Sequence, residues 1–144
     1  MTGDPYAVGL GGRLVSMQFT FQFPPADDAP AQARAALEVF DQILGAETLE
    51  DLQLVVSELI TNSVKFGPKR PITLRLRVDG EGVVSGEVID QGDGQRNKVE
   101  MVPEPSLDGG WGLYLLDRVA RRWGVHEGST HVWFELVPGG KPAS

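Results

Sequence analysis

A segment with helical periodicity, SELITNSVKFG at residues 57–67, carries Glu58 and Asn62 among apolar neighbours. Side chains at positions i and i+4 of a helix point the same way. On a helical wheel both residues flank the stripe of apolar side chains, where a cleft between the helix and a sheet would open. The pair therefore has two interpretations: a half-exposed polar edge, or two groups that hold a ligand.

A second candidate is Asp90, in the segment VIDQGDG. Strand alternation puts Asp90 on the same face as Val84 and Val88, so its carboxylate points inward if those valines face the core. Burying a carboxylate costs free energy unless hydrogen-bond donors reach it. Gly92 and Gly94 let the backbone turn and approach a ligand closely. The alternative is an acidic hairpin turn, because Asp and Gly are common turn residues.

A third candidate is the junction DGGWGLYLL, in which Gly110 and Gly112 lead into a predicted helix. Exposed N–H groups and the positive end of the helix dipole make such a junction favourable for an anion. The alternative is a flexible entry to the helix. The sequence contains no GxxxxGK[ST] motif, so a phosphate site here differs from a P-loop.

Composition limits the classes of function. The chain has 144 residues, the size of one domain with one core. A net charge of −7 and a pI of about 4.7 disfavour direct binding to nucleic acid or to an anionic membrane. The absence of cysteine excludes disulfides and thiolate metal sites. No apolar run approaches the length of a membrane span, and the N-terminus lacks a signal-peptide pattern, so a cytoplasmic protein is expected.

Hydrophobic periodicity and turn residues predict an α+β fold, a two-layer sandwich with helices on one face of a mixed, mostly antiparallel sheet. The domain is expected to occupy residues 14–138, between a flexible tail over 1–13 and a short tail over 139–144. The predicted elements, in chain order, are a strand over 14–23, helices over 27–45 and 48–66, strands over 72–78 and 82–90, a long polar loop over 91–109, a helix over 111–123, and strands around 124–127 and 130–137.

Some details of these elements are also predicted. Thr48 begins the second helix in a capping box with Asp51, and the following Gly-Pro ends that helix. The basic residues RVARR, 118–122, form the C-terminal end of the third helix, where positive charge suits the helix dipole. His126 and His131 show no metal-ligand spacing in the last hairpin, and a structural role is expected for both.

The three motifs, taken in their order along the chain, resemble the conserved boxes of a known superfamily. ELITNSVKFG resembles the N box, DQGDG the first glycine box and GGWGL the second glycine box of the GHKL superfamily of ATP-binding domains, which includes gyrase and the histidine kinases. Within this superfamily the chain looks most like the anti-sigma factor serine/threonine kinases, over roughly residues 15–138. The resemblance implies the GHKL, or Bergerat, ATP-binding fold.

The resemblance also implies roles for individual residues. Asn62 is expected to give a carboxamide oxygen to Mg²⁺, which prefers oxygen ligands. Glu58 is expected to act as the general base toward the attacking hydroxyl, and Asp90 to accept a hydrogen bond from the exocyclic amine of adenine. The loop over 95–108 would form a lid above the phosphates of ATP. The glycine boxes supply the other expected cofactor-binding positions, Gly92, Gly94, Gly110, Gly112 and Leu113.

The same resemblance implies partners. The expected function is to sequester a sigma factor and to phosphorylate Ser or Thr of an anti-anti-sigma partner of the STAS type, and a homodimer is also suggested. Lys65, Phe66 and Trp111 depart from the usual boxes, which leaves phosphate handling open. The alternative is therefore a non-catalytic ATP-binding interaction module whose lid is ordered by nucleotide. A sensor-kinase fragment is disfavoured because neither histidine lies on a predicted helix.

Overall fold

A single antiparallel sheet is the centre of the fold. The computed structural model describes residues 16–90, 111–126 and 131–140, with the backbone alone for residues 111–113. Within these ranges five strands pair in the order β1-β2-β3-β5-β4, and every pairing is antiparallel. The elements are β1 (Ser16–Phe23), α1 (Ala29–Ala36), a 3₁₀ helix (Leu37–Gln42), α2 (Ala46–Phe66), β2 (Ile72–Asp79), β3 (Val84–Ile89), α3 (Trp111–Val119), β4 (Arg122–Val125) and β5 (Val132–Leu136).

The core lies between the helices and one face of the sheet. The helix α2 packs on β3 and β5, and α1 and α3 pack against α2. Alternate side chains of β3 and β5 are buried, as period-two patterning predicts. Gly86 is so close to Phe134 that a Cβ atom at this position would lie 2.4 Å from the end of the phenyl ring. The predicted α+β two-layer fold is confirmed.

The first helical segment is not one continuous helix. A helix over 27–45 was predicted, but α1 ends at Ala36 and a 3₁₀ helix continues to Gln42. With three residues per turn, Leu37 and Phe40 line up and both are fully buried. The chain leaves this helix at Ile43, whose φ is −112°, and the Ile43 side chain is 38% exposed.

The helix α2 begins two residues earlier than predicted and ends where predicted. Its N-cap is Gly45, with no side-chain capping bond, and Thr48 is buried inside the first turn. The predicted capping box of Thr48 and Asp51 is therefore wrong. At the other end, the N–H of Gly67 donates to the carbonyl of Ser63 over 2.8 Å, which closes the last turn. No helix in the described part of the chain is long and apolar enough to cross a bilayer.

The helix α3 is shorter than predicted, and two of the basic residues expected at its C-terminal end lie beyond the helix. It stops at Val119, and Arg122 already belongs to β4. Arg121 Nε donates to Glu135 Oε1 over 2.7 Å, and Arg122 Nη2 donates to Glu135 Oε2 over 2.9 Å. The two guanidinium groups thus pair with a carboxylate on the neighbouring strand rather than with the carbonyl end of a helix. The hydrogen bond from Arg122, followed by that from Arg121, holds the pKa of Glu135 below its ordinary value.

This pair predicts a pH-dependent stability. Because the pKa of Glu135 is lowered in the folded state, its contribution is present above the unfolded pKa of about 4.5 and is lost as pH falls through the lower, folded pKa. We expect Glu135→Gln to unfold at lower urea concentration than wild type at pH 7, with the gap closing below about pH 4. Urea denaturation across pH measures this. Glu81→Gln, on the exposed turn after β2, removes the same charge and should unfold at the same urea concentration as wild type. An equal loss of stability in both variants would contradict a specific role for the pairing of Glu135 with the two arginines.

Candidate nucleotide-binding site

The helix α2 positions Glu58 and Asn62 as the sequence predicts. Its apolar stripe, which includes Leu52, Val56 and Leu59, is buried against the sheet. At 100° per residue Asn62 falls at the margin of this stripe, and its side chain is 9% exposed. Glu58, one turn earlier, is half-buried. Both residues therefore border the core, and neither lies on the solvent side of the helix.

The side-chain oxygen of Asn62 is the unusual atom of this helix. Two nearby hydroxyl groups bond to carbonyls of α2 itself: Ser57 Oγ donates to Leu54 O over 3.1 Å, and Thr61 Oγ1 donates to Ser57 O over 2.7 Å. The Oδ1 atom of Asn62 is buried without a hydrogen-bond partner among the described residues. An unsatisfied buried acceptor costs free energy, so a group outside the described chain is the natural partner for this oxygen.

Asp90 is brought to the same helix by the end of β3. Strand alternation continues from Val84 through Val88 to Asp90, and the Asp90 side chain is 3% exposed. The predicted inward orientation is confirmed. A Cβ atom built on Gly67 would lie 2.8 Å from Asp90 Oδ2. The carboxylate therefore lies against the residue that ends α2.

The two polar side chains thus belong to one end of the α2–sheet boundary. Asn62 precedes Gly67 by five residues, which is about 7.5 Å along a helix axis at 1.5 Å per residue. This separation is within the span of a purine nucleotide triphosphate. Asn62 and Asp90 therefore both lie near the C-terminal end of α2, and their joint contact with one nucleotide stays a prediction.

The remaining predicted positions are only partly covered by the structure. Gly92, Gly94 and Gly110 lie outside the described residues. Gly112 lies in the first turn of α3, which begins at Trp111 as predicted. For Leu113 the structure describes the backbone alone. The helix α3 packs against α2, with Leu116 fully buried, so the start of α3 belongs to the same layer as Asn62.

Comparison with known proteins identifies the family. The model of the histidine kinase-like ATPase domain matches residues 23–136, and the chain belongs to this family. Among solved structures it is similar to the crystal structure of the RsbU and RsbW domains of Rv1364c from Mycobacterium tuberculosis, with 20% identity and a TM-score of 0.53. That match covers 86% of this chain but 33% of the other, so it concerns the fold alone. No curated protein matches the chain.

The described residues fit the ATP and Mg²⁺ that an ATPase domain of this family implies. Mg²⁺ takes hard oxygen ligands and commonly retains several waters, and the buried, unpartnered Oδ1 of Asn62 is an oxygen of this kind. Asp90 offers a buried carboxylate with about four acceptor positions. An amine of a purine ring can therefore bond to this carboxylate alongside other partners.

One residue of this site was not predicted as such. Gly67 was expected only to end α2, but its lack of a side chain is also what allows Asp90 to approach. The sequence pattern contains a signal for the first role, because Gly-Pro ends helices. It contains none for the second, because Gly67 and Asp90 meet only through the packing of β3 beside α2.

Substitution of Gly67 tests this packing. A methyl group would lie 2.4 Å from Ser63 O and 2.8 Å from Asp90 Oδ2, so the helix end or the carboxylate must move. We expect Gly67→Ala to lower the free energy of unfolding by about 1–3 kcal/mol and to weaken ATP binding. Gly45→Ala, at the opposite end of α2 where no atom lies within 4 Å, is the matched control. Chemical denaturation and calorimetry measure both, and equal behaviour of the two variants would contradict the contact.

Proposed function

We propose that this chain binds Mg·ATP between α2 and the end of β3, and transfers the γ-phosphate to a Ser or Thr of an anti-anti-sigma protein of the STAS type. The same chain sequesters a sigma factor when it is not engaged with that protein. The observation that carries the nucleotide site is the buried, unpartnered Oδ1 of Asn62 on the helix that Asp90 contacts. Membership of the histidine kinase-like ATPase family supports ATP as the nucleotide.

In this proposal the two ends of the nucleotide have different partners in the protein. Asp90 accepts a hydrogen bond from the adenine amine, and this bond favours adenine because a purine without the amine cannot make it. Asn62 holds Mg²⁺ through Oδ1. When bound, Mg²⁺ supplies neutralising charge beside the phosphates.

Glu58 is proposed as the general base. It lies one turn before Asn62 on the same side of α2, so it faces the phosphate end of the site. Its carboxylate is half-buried, which leaves it reachable by a hydroxyl from a docked protein. Glu58 would orient that hydroxyl and accept its proton as the oxygen attacks the γ-phosphate.

Support for the anti-sigma role comes from the motifs. The N box and glycine boxes resemble those of anti-sigma factor serine/threonine kinases, and the structural neighbour from Mycobacterium tuberculosis contains an RsbW domain. A non-catalytic ATP-binding module is the second candidate. It is favoured by one observation, the exposed Lys65 and Phe66 at the end of α2 where the family pattern differs.

Calorimetry tests the nucleotide site. We expect Asp90→Asn to weaken ATP binding by about tenfold or more, because it replaces a charged acceptor of a buried hydrogen bond. We expect Asn62→Ala to bind ATP with no gain in affinity on addition of Mg²⁺. Asp41→Asn makes the same change as Asp90→Asn at an exposed position, and Gln18→Ala likewise removes an exposed side-chain amide; both variants should match wild type. Normal magnesium-dependent binding by both site variants would overturn the site.

Phosphotransfer separates the two candidate functions. With γ-labelled ATP and a panel of purified STAS-type proteins, wild type should label a partner on Ser or Thr. Glu58→Gln should retain ATP binding and lose about 10²–10⁴-fold in rate. Glu50→Gln, an exposed change of the same kind on α2, should retain the activity. Binding of ATP by wild type with no label on any partner would favour the non-catalytic module.

A further inference from the structure

The sheet face away from the helices carries three potential metal ligands that the proposed function does not use. They are Glu87 on β3, His126 just after β4 and His131 just before β5. The backbone N–H of His126 donates to the carbonyl of His131 over 2.9 Å, so the two histidines are cross-strand neighbours. Glu87 pairs with Trp133, two residues beyond His131 on the same face.

The side chains of this cluster are already close together. His131 Nε2 lies 2.6 Å from Glu87 Oε2, and the ring centroids of His126 and His131 are 4.1 Å apart. One ligand atom from each of the three residues lies within 4.8 Å of the others. A tetrahedral ion with bonds of about 2.1 Å holds its ligand atoms roughly 3.4 Å apart. Small rotations of side chains are therefore enough to place all three on one ion.

The donor set selects the class of ion. Two imidazole nitrogens and one carboxylate oxygen form the set that holds catalytic zinc in several enzymes, with a fourth position left for water. Imidazole suits Zn²⁺ and related first-row ions, whereas Mg²⁺ favours oxygen ligands. The cluster is thus chemically distinct from the magnesium position proposed at Asn62.

The surroundings orient the carboxylate for this use. Arg75 Nη1 lies 3.3 Å from Glu87 Oε1, the oxygen that does not face His131. Such an outer partner fixes the orientation of a ligating carboxylate. The His131 and Glu87 side chains are 21% and 27% exposed, and His126 is exposed, so the cluster is open to solvent on one side.

We propose that Glu87, His126 and His131 form a binding site for a first-row transition-metal ion, Zn²⁺ by its donor set, with water in the remaining position. On binding, the ion lies between His131 Nε2 and Glu87 Oε2, and the neutral imidazole of His131 carries its one proton on the other ring nitrogen, Nδ1. The ion joins β3 to the terminal hairpin on the sheet face opposite the one that Asp90 faces.

Zinc titration of the chelator-treated full chain tests this site. We expect calorimetry to give one Zn²⁺ per chain, unaffected by millimolar Mg²⁺, and we expect the Tm to rise with Zn²⁺ because the ion binds the folded state. His126→Ala, His131→Gln and Glu87→Gln should each weaken binding by about tenfold or more. Circular dichroism establishes that each variant is folded before titration.

A control on the same sheet face separates a built site from general attraction to carboxylates. Glu135→Gln removes a negative charge from β5 without touching the cluster and should bind Zn²⁺ as wild type does. Asp90→Asn should also bind Zn²⁺ normally, so failure of the zinc site and failure of the nucleotide site are distinguishable. Absence of Zn²⁺ binding by folded wild type, or unchanged binding by both histidine variants, overturns the proposal.

Discussion

The carboxylate of Asp90 is buried at the end of β3 against the residue that ends α2, and this contact sets how closely helix and sheet approach there. A buried acid must be met by donors, and the adjoining backbone must leave it room. Gly67 provides that room because it has no side chain. The last turn of α2, and Asn62 with it, is therefore placed by the same contact that accommodates the acid. Everything inferred about nucleotide binding depends on this juxtaposition.

The polar side chains of α2 near the candidate site differ in whether the helix itself satisfies their hydrogen bonds. Ser57 and Thr61 donate their hydroxyl groups to carbonyls within α2, so the helix itself satisfies these two side chains. Asn62 Oδ1 stands apart as a buried acceptor. Stability and function are opposed at this atom, because a fold selected for stability alone would gain by removing it. A protein that holds a hard cation gains by keeping it.

The two faces of the sheet carry different polar groups because side chains alternate along each strand. Toward the helices, β3 presents Val84, Gly86 and Val88, and Asp90 follows the strand with its side chain buried on the same side. Toward the other side it presents Glu87, which meets His131 across the sheet. Further along the same face, Glu135 forms ion pairs with two arginines, Arg121 and Arg122. One short strand thus contributes an inward acid to the nucleotide side and an outward acid to the histidine cluster.

The sequence by itself determined the fold class, the inward orientation of Asp90, the border position of Asn62 and the end of α2, because period and helix-ending residues are local properties. It did not reveal that Gly67 meets Asp90, that Arg121 and Arg122 pair with Glu135, or that His126 and His131 join Glu87. It also placed the start of α2 at Thr48 rather than Ala46, since burial of Thr48 in the first turn prevailed over its capping preference. Strand register and helix packing decided these points. Both depend on which distant segments become neighbours in the fold, and the spacing of residues along the chain does not encode that.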